Sequence, residues 1–318
     1  MNSAPANLRT ADAAAIARGG EIIRAGGLVA FPTETVYGLG ADATNDRAVA
    51  SIFAAKGRPQ FNPLIVHVPD VVAAEEIVAF TPLARKLAQA FWPGALTLVL
   101  PRKAKKLSLL VSAGLDTVAV RVPSGAVAQK LLHAAGTPIA APSANVSGRI
   151  SPTLASHVAE EFGETVDLIL DDGAATLGLE STVIGFDGEN PVLLRLGAMA
   201  RAEIEKIAGP LAMPGAKITS PGQLINHYAP LAALRLNAND VKPGEALLAF
   251  GAHVPEGARM TRNLSATGNV KEAAANLFAM LRELDSNGAQ NIAVMPVPEH
   301  GLGEAINDRL RRAAAPRT

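Results

Sequence analysis

Short apolar runs alternate along the first 200 positions with longer alanine-rich stretches. Runs of roughly four to eight Val, Ile and Leu residues are typical of buried strands, and apolar spacings of three and four are typical of helices. The runs predict strands at 27–32, 63–68, 96–101, 117–123, 138–142, 166–171, 181–186 and 192–197. The spacings predict helices near 10–25, 46–56, 82–91, 124–135, 153–163 and 200–208. This alternation indicates an α/β fold.

The pattern breaks between residues 209 and 231, where prolines and glycines concentrate and no period is visible. We interpret 209–231 as a linker, and a long irregular segment of this kind is often a lid or a binding loop. Beyond it, the runs "AALRL", "EALLAFG" and "NIAVMPV" and helices near 270–287 and 302–314 predict a small βαβ-type unit with a parallel sheet. The chain therefore divides into 1–208, the linker 209–231, and a smaller unit at 232–318.

Charge and composition narrow the classes of function. The 29 basic and 29 acidic residues give a formal net charge of zero, which does not favour a bulk electrostatic grip on nucleic acid. Cysteine is absent, which excludes disulfides, thiolate zinc sites and cysteine nucleophiles. The N-terminal sequence lacks the pattern of a signal peptide, and no apolar run approaches the ~20 residues that span a bilayer. We expect a soluble cytoplasmic protein.

Two cations surround a glycine at the end of a predicted helix. Val49, Ile52, Phe53 and Lys56 share one helix face, and the glycine after Lys56 suits a left-handed helix end. Lys56 and Arg58 could simply oppose the helix dipole. The proline that follows Arg58 makes the turn rigid, and a rigid pair of cations also suits an anion such as phosphate.

Two polar side chains interrupt apolar strands. His67 lies on the opposite side of its strand from Leu64 and Val66, either at a strand edge or facing a cleft. Arg121 alternates with core valines in "TVAVRV", and a desolvated arginine needs a carboxylate or a phosphate. A structural ion pair and a ligand site both satisfy Arg121; the sequence favours the ligand site.

Hydroxyl and amide side chains cluster just after predicted strands, where α/β proteins bind ligands. The segment at 141–153 offers Ser143, Asn145, Ser147 and Ser151, the segment at 31–42 offers Thr33, Thr35 and Tyr37, and later strands add Ser181, Thr182 and Arg195. Taken without its context, the segment at 141–153 is better interpreted as an ordinary Ser/Asn/Gly turn. The chain lacks the P-loop, the dinucleotide fingerprint, H-E-x-x-H and any histidine spacing typical of a metal site. Such a set binds and stabilises anions and does not indicate strong acid–base chemistry.

Four segments together resemble the YrdC-like family. They are "FPTETVYGLG", "KGRPQFNPLIVHV", "VRVPSG" and "APSANVSG", and the later "SPGQLINHYAP" resembles the linker of the two-domain form. The resemblance runs from about residue 12 to the end of the chain. Asn226 and Gln223 depart from the basic residue and the methionine usual in that linker.

The resemblance implies a twisted mixed sheet with surrounding helices at 1–208, a lid at 209–231 and a small Rossmann-like parallel domain at 232–318. It implies an L-threonylcarbamoyladenylate synthase that uses L-threonine, bicarbonate and ATP with Mg²⁺. The product serves threonylcarbamoyladenosine modification next to the tRNA anticodon, with tRNA and a transfer complex as partners downstream.

The resemblance also implies roles for individual residues. The catalytic residues would be Lys56 and Arg58. The L-threonine site would comprise Thr35, His67, Arg121, Ala141 and Ser181. The ATP site would comprise Lys56, Arg58, Asn62, Thr117, Ser143, Asn145, Ser151, Arg195 and Tyr228. Magnesium would be held by phosphate oxygens, without a metal site of the protein's own.

Two other functions fit parts of the pattern. A non-catalytic RNA-binding protein could use the same basic cleft, although zero net charge and 4% aromatic residues count against it. The hydrogenase-maturation carbamoyltransferase also contains a YrdC-like domain, but it carries cysteine-rich zinc modules, and this chain has no cysteine.

Overall fold

The computed structural model describes residues 5–59, 61–103, 106–213 and 228–316. The described part before residue 214, here called the N-terminal region, forms one ten-stranded mixed sheet. Its strands are Leu8–Thr10 (β1), Val29–Pro32 (β2), Tyr37–Asp42 (β3), Ile65–His67 (β4), Leu96–Pro101 (β5), Thr117–Arg121 (β6), Ile139–Ala140 (β7), Leu168–Asp171 (β8), Thr182–Asp187 (β9) and Asn190–Arg195 (β10). They lie in the order β1-β8-β2-β3-β7-β4-β6-β5-β9-β10.

Helices cover both faces of this sheet. They are Ala13–Arg24 (α1), Asp46–Lys56 (α2), Val71–Ile77 (α3), Pro82–Phe91 (α4), Ala126–Ala135 (α5), Ala155–Phe162 (α6) and Arg201–Ala208 (α7), with a 3₁₀ turn at Gly163–Thr165. Helices α1 and α5 pack against Val29 and Phe31 of β2. Ala30, between them, faces the larger core formed with α2, α4 and α6 on the other side. The alternation along β2 therefore separates two apolar layers.

The C-terminal region, Tyr228 to residue 316, has its own sheet. Strands Ala233–Arg235 (β11), Ala246–Ala249 (β12), Thr261–Asn263 (β13) and Asn291–Val294 (β14) pair in the order β11-β14-β12-β13, and every described pairing is parallel. Two helices pack beside them, Val270–Ser286 (α8) and Leu302–Ala313 (α9). The predicted parallel sheet is confirmed. In the described ranges, no helix has both the length and the apolar character needed to cross a bilayer.

The two regions share an apolar core. Val36, Ile150 and Leu179 of the N-terminal region belong to the same buried cluster as Leu277 and Phe278 of α8. An interface that buries apolar side chains from both sides resists relative motion of its two parts. The C-terminal region is therefore packed against the rest of the chain as well as tethered to it.

The sequence pattern missed four elements. Strand β1, strand β13 and helix α3 are short, and three to seven residues give too little period to recognise. Strand β3 was not predicted, because Gly38 and Gly40 give it no strand pattern. Its place is fixed instead by antiparallel pairing with β2, which aligns Pro32 with Tyr37 and leaves only 33–36 as the connection.

The main chain at Gly178 packs closely against helix α8 of the C-terminal region. Its φ is +69°, and a Cβ there would lie 2.5 Å from the main chain of Ala274 and Ala275 in α8. We expect Gly178→Ala to lower the free energy of unfolding by about 1–3 kcal/mol for overpacking, in addition to the cost of a left-handed alanine.

Chemical denaturation would check this prediction against Gly188→Ala. Gly188 also has positive φ, +60°, but a Cβ there would meet no atom within 4 Å. Equal destabilisation by the two substitutions would contradict the close packing of α8 on this loop.

Candidate functional site

A cavity opens beside the carboxyl ends of β4 and β6. His67 and Arg121 are the last residues of those parallel neighbours and lie opposite each other in the register. The carboxyl ends of parallel strands are the usual ligand-binding edge of an α/β sheet. The wall is completed by the turn after β2, the segment after β7, the start of β9, the end of β10 and Tyr228.

Nine of the fourteen site residues expected from the sequence line this cavity. They are Thr35, Arg58, His67, Arg121, Ala141, Ser143, Ser181, Arg195 and Tyr228. Four others are buried close to them in the chain: Lys56, Asn62, Asn145 and Ser151. Thr117 lies at the opposite end of β6 from Arg121, a distance of about 13 Å along the strand. Gln223 and Asn226 fall outside the described residues.

Lys56 ends helix α2 and is almost completely buried. Its ammonium donates to the carbonyl oxygens of Ser143, at 2.5 Å, and Asn145. The amide of Ser147 donates back to the carbonyl of Lys56 at 2.8 Å. Burial, together with the positive charge of Arg58, holds the pKa of Lys56 well below its ordinary value. Lys56 thus fixes the loop that presents Ser143 to the cavity.

Arg58 reaches the cavity because Gly57 ends α2 in the left-handed conformation, with φ of 56°. Its guanidinium donates to the carbonyls of Asn62 at 3.2 Å and Pro63 at 2.9 Å. Burial and the charge of Arg195 lower the pKa of Arg58 to about 10, so it remains cationic at neutral pH. The side-chain amide of Asn62 is buried without a hydrogen-bond partner in the described part of the chain.

Arg195 is the second cation of this wall. It donates through Nε and Nη2 to the carbonyl of Ser181, at 3.1 and 2.8 Å, and through Nη2 to the Ser181 hydroxyl at 3.1 Å. That hydroxyl also lies 2.7 Å from the hydroxyl of Thr97. Within the described residues, neither Arg58 nor Arg195 forms a salt bridge to a carboxylate. Two buried cations held only by neutral oxygens leave their charge available to an anion.

Arg121 is paired inside the protein. Its Nη2 lies 2.7 Å from Oε1 of Glu34, and its Nη1 donates to the hydroxyl of Thr35 at 2.9 Å. Burial raises the pKa of Glu34, but the charge of Arg121 and the hydrogen bonds from Arg121 and the main chain together outweigh burial and lower that pKa. The other oxygen of Glu34 accepts from the amide of Gly125 at 3.2 Å.

Glu34 was missed in the sequence, although it stands in the motif between Thr33 and Thr35. The cost of burying Arg121 required a carboxylate or a phosphate, and Glu34 supplies the carboxylate. Arg121 therefore forms the structural ion pair that was one of its two expected roles. It also lies on the cavity wall, as the ligand-binding role requires.

His67 is buried against the edge of Phe31, with ring centroids 6.4 Å apart. Its Nδ1 has no hydrogen-bond partner among the described residues. Burial and the nearby charge of Arg121 lower the pKa of His67 to about 3. At neutral pH the imidazole is uncharged and serves as a polar wall of the cavity.

Tyr228 closes the cavity from the side of the C-terminal region. Its ring stacks on Phe278 of α8 with a centroid distance of 5.5 Å, and the guanidinium of Arg309 in α9 lies 4.9 Å from the same ring. Glu180, a further cavity residue, pairs with Arg309 at 3.0 Å. Glu180 directly precedes the predicted site residue Ser181, but no pattern in the sequence singled out Arg309.

No group of three or more His, Cys, Asp or Glu side chains in the described ranges is arranged to hold a metal ion. Glu180 on the cavity wall and Glu34 beside Arg121 are each paired with an arginine. The arrangement suits binding of a carboxylate and of phosphates, with neutral hydroxyls between them.

Comparison with known proteins gives consistent matches over nearly the whole chain. Residues 21–197 match the Sua5/YciO/YrdC family model, described as telomere recombination, and residues 199–315 match a model described as the C-terminal domain of threonylcarbamoyl-AMP synthase. The threonylcarbamoyl-AMP synthase of Bacillus subtilis is 40% identical over 95% of this chain and 93% of its own length. That of Pyrococcus abyssi is 43% identical over 92% of both chains.

A solved structure is similar in both regions. The crystal structure of P. abyssi Sua5 complexed with L-threonine superposes with a TM-score of 0.88 and 40% sequence identity, covering 94% of each chain. This similarity extends across both sheets, so the arrangement of the two regions is shared with that protein.

The lowered pKa of His67 predicts a pH-dependent stability. Between about pH 6.5 and pH 3, His67 is protonated in the unfolded chain but not in the folded protein. The free energy of unfolding therefore falls as pH falls through this window. One such proton contributes at most about 1.4 kcal/mol per pH unit. Replacing His67 by Asn removes this contribution, and we expect a shallower pH dependence in denaturant titrations.

The control is His133→Asn, at an exposed histidine of α5. Buried His157, whose pKa is lowered to about 4, also makes the free energy of unfolding fall with pH in this window. Because it does so in every variant, the comparison is between the slopes of unfolding free energy against pH. Identical slopes for His67→Asn and the wild type would contradict a buried neutral His67.

Proposed function

The chain belongs to the Sua5/YciO/YrdC family, and we propose that it is a threonylcarbamoyl-AMP synthase, which joins L-threonine, bicarbonate and ATP into L-threonylcarbamoyladenylate and releases pyrophosphate. One observation carries the proposal beyond similarity. A single cavity presents a guanidinium suited to an amino-acid carboxylate and two further guanidiniums free of carboxylate partners in the described residues. The reaction requires both kinds of site side by side.

The threonine half of the site is proposed around Arg121. The guanidinium of Arg121 lies on the cavity wall and suits a carboxylate by its charge, and Thr35 and Glu34 fix its orientation. Uncharged His67 and the Ser181 hydroxyl are suited to the polar groups of a small amino acid, with Ala141 supplying main chain. The similar Sua5 structure contains L-threonine, which supports this choice of substrate.

The ATP half is proposed around Arg58 and Arg195. Their positive charges would bind the phosphates, with Ser143 on the loop held by Lys56. Asn62, Asn145, Ser151, Thr117 and Tyr228 remain proposed ATP contacts on the basis of the family resemblance. Magnesium would enter with ATP on phosphate oxygens, because Glu34 and Glu180 are already paired with arginines.

The chemistry asks little of the protein beyond placement and charge. The amine of threonine and bicarbonate give the carbamate with loss of water. A carbamate oxygen then attacks the α-phosphorus of ATP while the bond to the leaving pyrophosphate breaks. The carbamate is already an anion, so no protein base is needed for the attack. Catalysis would come from holding the carbamate in line with the α-phosphorus and neutralising charge on the phosphates, which Arg58 and Lys56 are proposed to do.

The wider setting of the reaction is also a proposal. The adenylate would be consumed by a separate complex that modifies adenosine next to the tRNA anticodon, and the protein would act in the cytoplasm. Direct contact with tRNA is not needed for the adenylate to form.

Pyrophosphate release tests the function directly. We expect release from ATP and Mg²⁺ only when both L-threonine and bicarbonate are present. Release without threonine would indicate another acceptor. No release by the folded protein, with salt-dependent RNA binding in its place, would favour the non-catalytic RNA-binding alternative.

A second prediction separates the two halves of the site. Removing Arg121 alone would leave Glu34 buried without its partner, so we pair Arg121→Met with Glu34→Gln. Losing charged hydrogen bonds worth about 1.5–3 kcal/mol should raise the KM for threonine by roughly tenfold or more. The KM for ATP should change much less.

Arg58→Met is the reciprocal control, since it should raise the KM for ATP and spare that for threonine. Steady-state pyrophosphate release with each substrate varied would measure both constants. An unchanged KM for threonine in the Arg121 variant would refute the carboxylate role.

A further inference from the structure

Arg309 in helix α9 is the largest fully buried side chain of the described residues. Each nitrogen of its guanidinium has a partner. Nε donates to Glu180 at 3.0 Å, Nη1 to Asp308 at 2.5 Å, and Nη2 to the carbonyl of Leu196 at 2.7 Å. A buried arginine costs several kcal/mol of desolvation unless such partners offset it. Glu180 and Leu196 belong to the N-terminal region, so Arg309 crosses between the two regions.

Two of the groups that Arg309 contacts are walls of the cavity. Glu180 lines it directly, and the ring of Tyr228 lies 4.9 Å from the guanidinium. The ring of Tyr228 also stacks on Phe278 of α8. Through these contacts the C-terminal region reaches the cavity, although none of its strands borders it in the described structure.

The contact between Arg309 and Glu180 affects the charge of the cavity wall, because Glu180 is negative. Its carboxylate shares the cavity wall with Arg195; burial lowers the pKa of Arg195, and the negative charge of Glu180 offsets part of that lowering. Its Oε1 accepts from the Ser151 hydroxyl at 2.5 Å, which fixes its position. Without Arg309, a buried carboxylate would face the same space as an incoming polyanion and would compete for the neighbouring arginines.

We propose that Arg309 is a positioning residue for the nucleotide half of the cavity. It neutralises Glu180 and supports the ring of Tyr228, so that phosphates meet a cationic wall. The C-terminal region thereby sets the charge of a site built by the N-terminal region. This inference rests on the proposed function, because it takes ATP as the ligand of the cavity.

The test replaces Arg309 by Met, which keeps much of the side-chain volume and removes the charge. Equilibrium binding of ATP to the full-length protein is measured by calorimetry, which needs no turnover. We expect the Kd for ATP to rise by roughly tenfold or more, as for other buried charge pairs that lose one partner. In pyrophosphate release, the KM for ATP should rise while that for threonine changes by less than about threefold.

The matched control is Arg201→Met. Arg201 of α7 pairs with Glu304 of α9 at 2.9 Å, so it also joins the two regions, but it does not line the cavity. We expect this variant to bind ATP as the wild type does. An equal loss in both variants would mean that loosening the interface is sufficient, and it would overturn the specific role of Arg309.

The decisive variant combines Arg309→Met with Glu180→Gln. If Arg309 acts by neutralising Glu180, removing both charges should restore ATP binding to within about threefold of the wild type, an interaction that a double-mutant cycle isolates. A purely structural Arg309 would show no rescue. A double variant that binds as poorly as Arg309→Met would overturn the proposal.

If Arg309→Met does not fold, Glu180→Gln alone carries the test. It should bind ATP at least as well as the wild type, because it removes a negative charge from the cavity. A tenfold higher Kd would show that Glu180 itself contributes to ATP binding, contrary to the proposal. Wild-type protein that binds ATP but releases no pyrophosphate would refute the proposed synthase while leaving this binding test intact.

Discussion

The desolvation of buried cations is the constraint on which this site depends. Lys56, Arg58, Arg121, Arg195 and Arg309 are all nearly inaccessible, and each would be unstable without partners. Three of them meet chiefly main-chain carbonyls, and two meet carboxylates. Carbonyl partners orient a cation without offsetting its charge, whereas a carboxylate partner orients it and offsets part of the charge. This division separates Arg58 and Arg195, proposed to meet phosphates, from Arg121 and Arg309, whose positions a carboxylate fixes.

The same constraint explains how scattered segments form one site. The carbonyls that hold Lys56 lie about ninety residues away in the loop after β7, and those that hold Arg195 belong to the start of β9. Each cation therefore ties its own element to another at the carboxyl edge of the sheet. The polar network that would receive a ligand is also the network that holds the loops in place.

Much of the fold could be predicted from the sequence, because its helices and buried strands have clear periods. The predicted helix at 46–56 matches α2, and the left-handed end at Gly57 is confirmed. The core face of "TVAVRV" and the parallel C-terminal sheet are also confirmed. Strand β3 could not be predicted, because its glycines carry no strand signal and pairing with β2 determines it.

The sequence by itself determined the residue types of the site and the strands that carry them. His67 and Arg121 interrupt apolar alternation, so their direction away from the core followed from the period of a strand. Only the tertiary structure decided which partner each charge would have. Glu34 pairs with Arg121, and Glu180 pairs with Arg309 from a helix 129 residues later. Local sequence encodes local geometry, whereas the pairing of buried charges depends on which distant elements pack together.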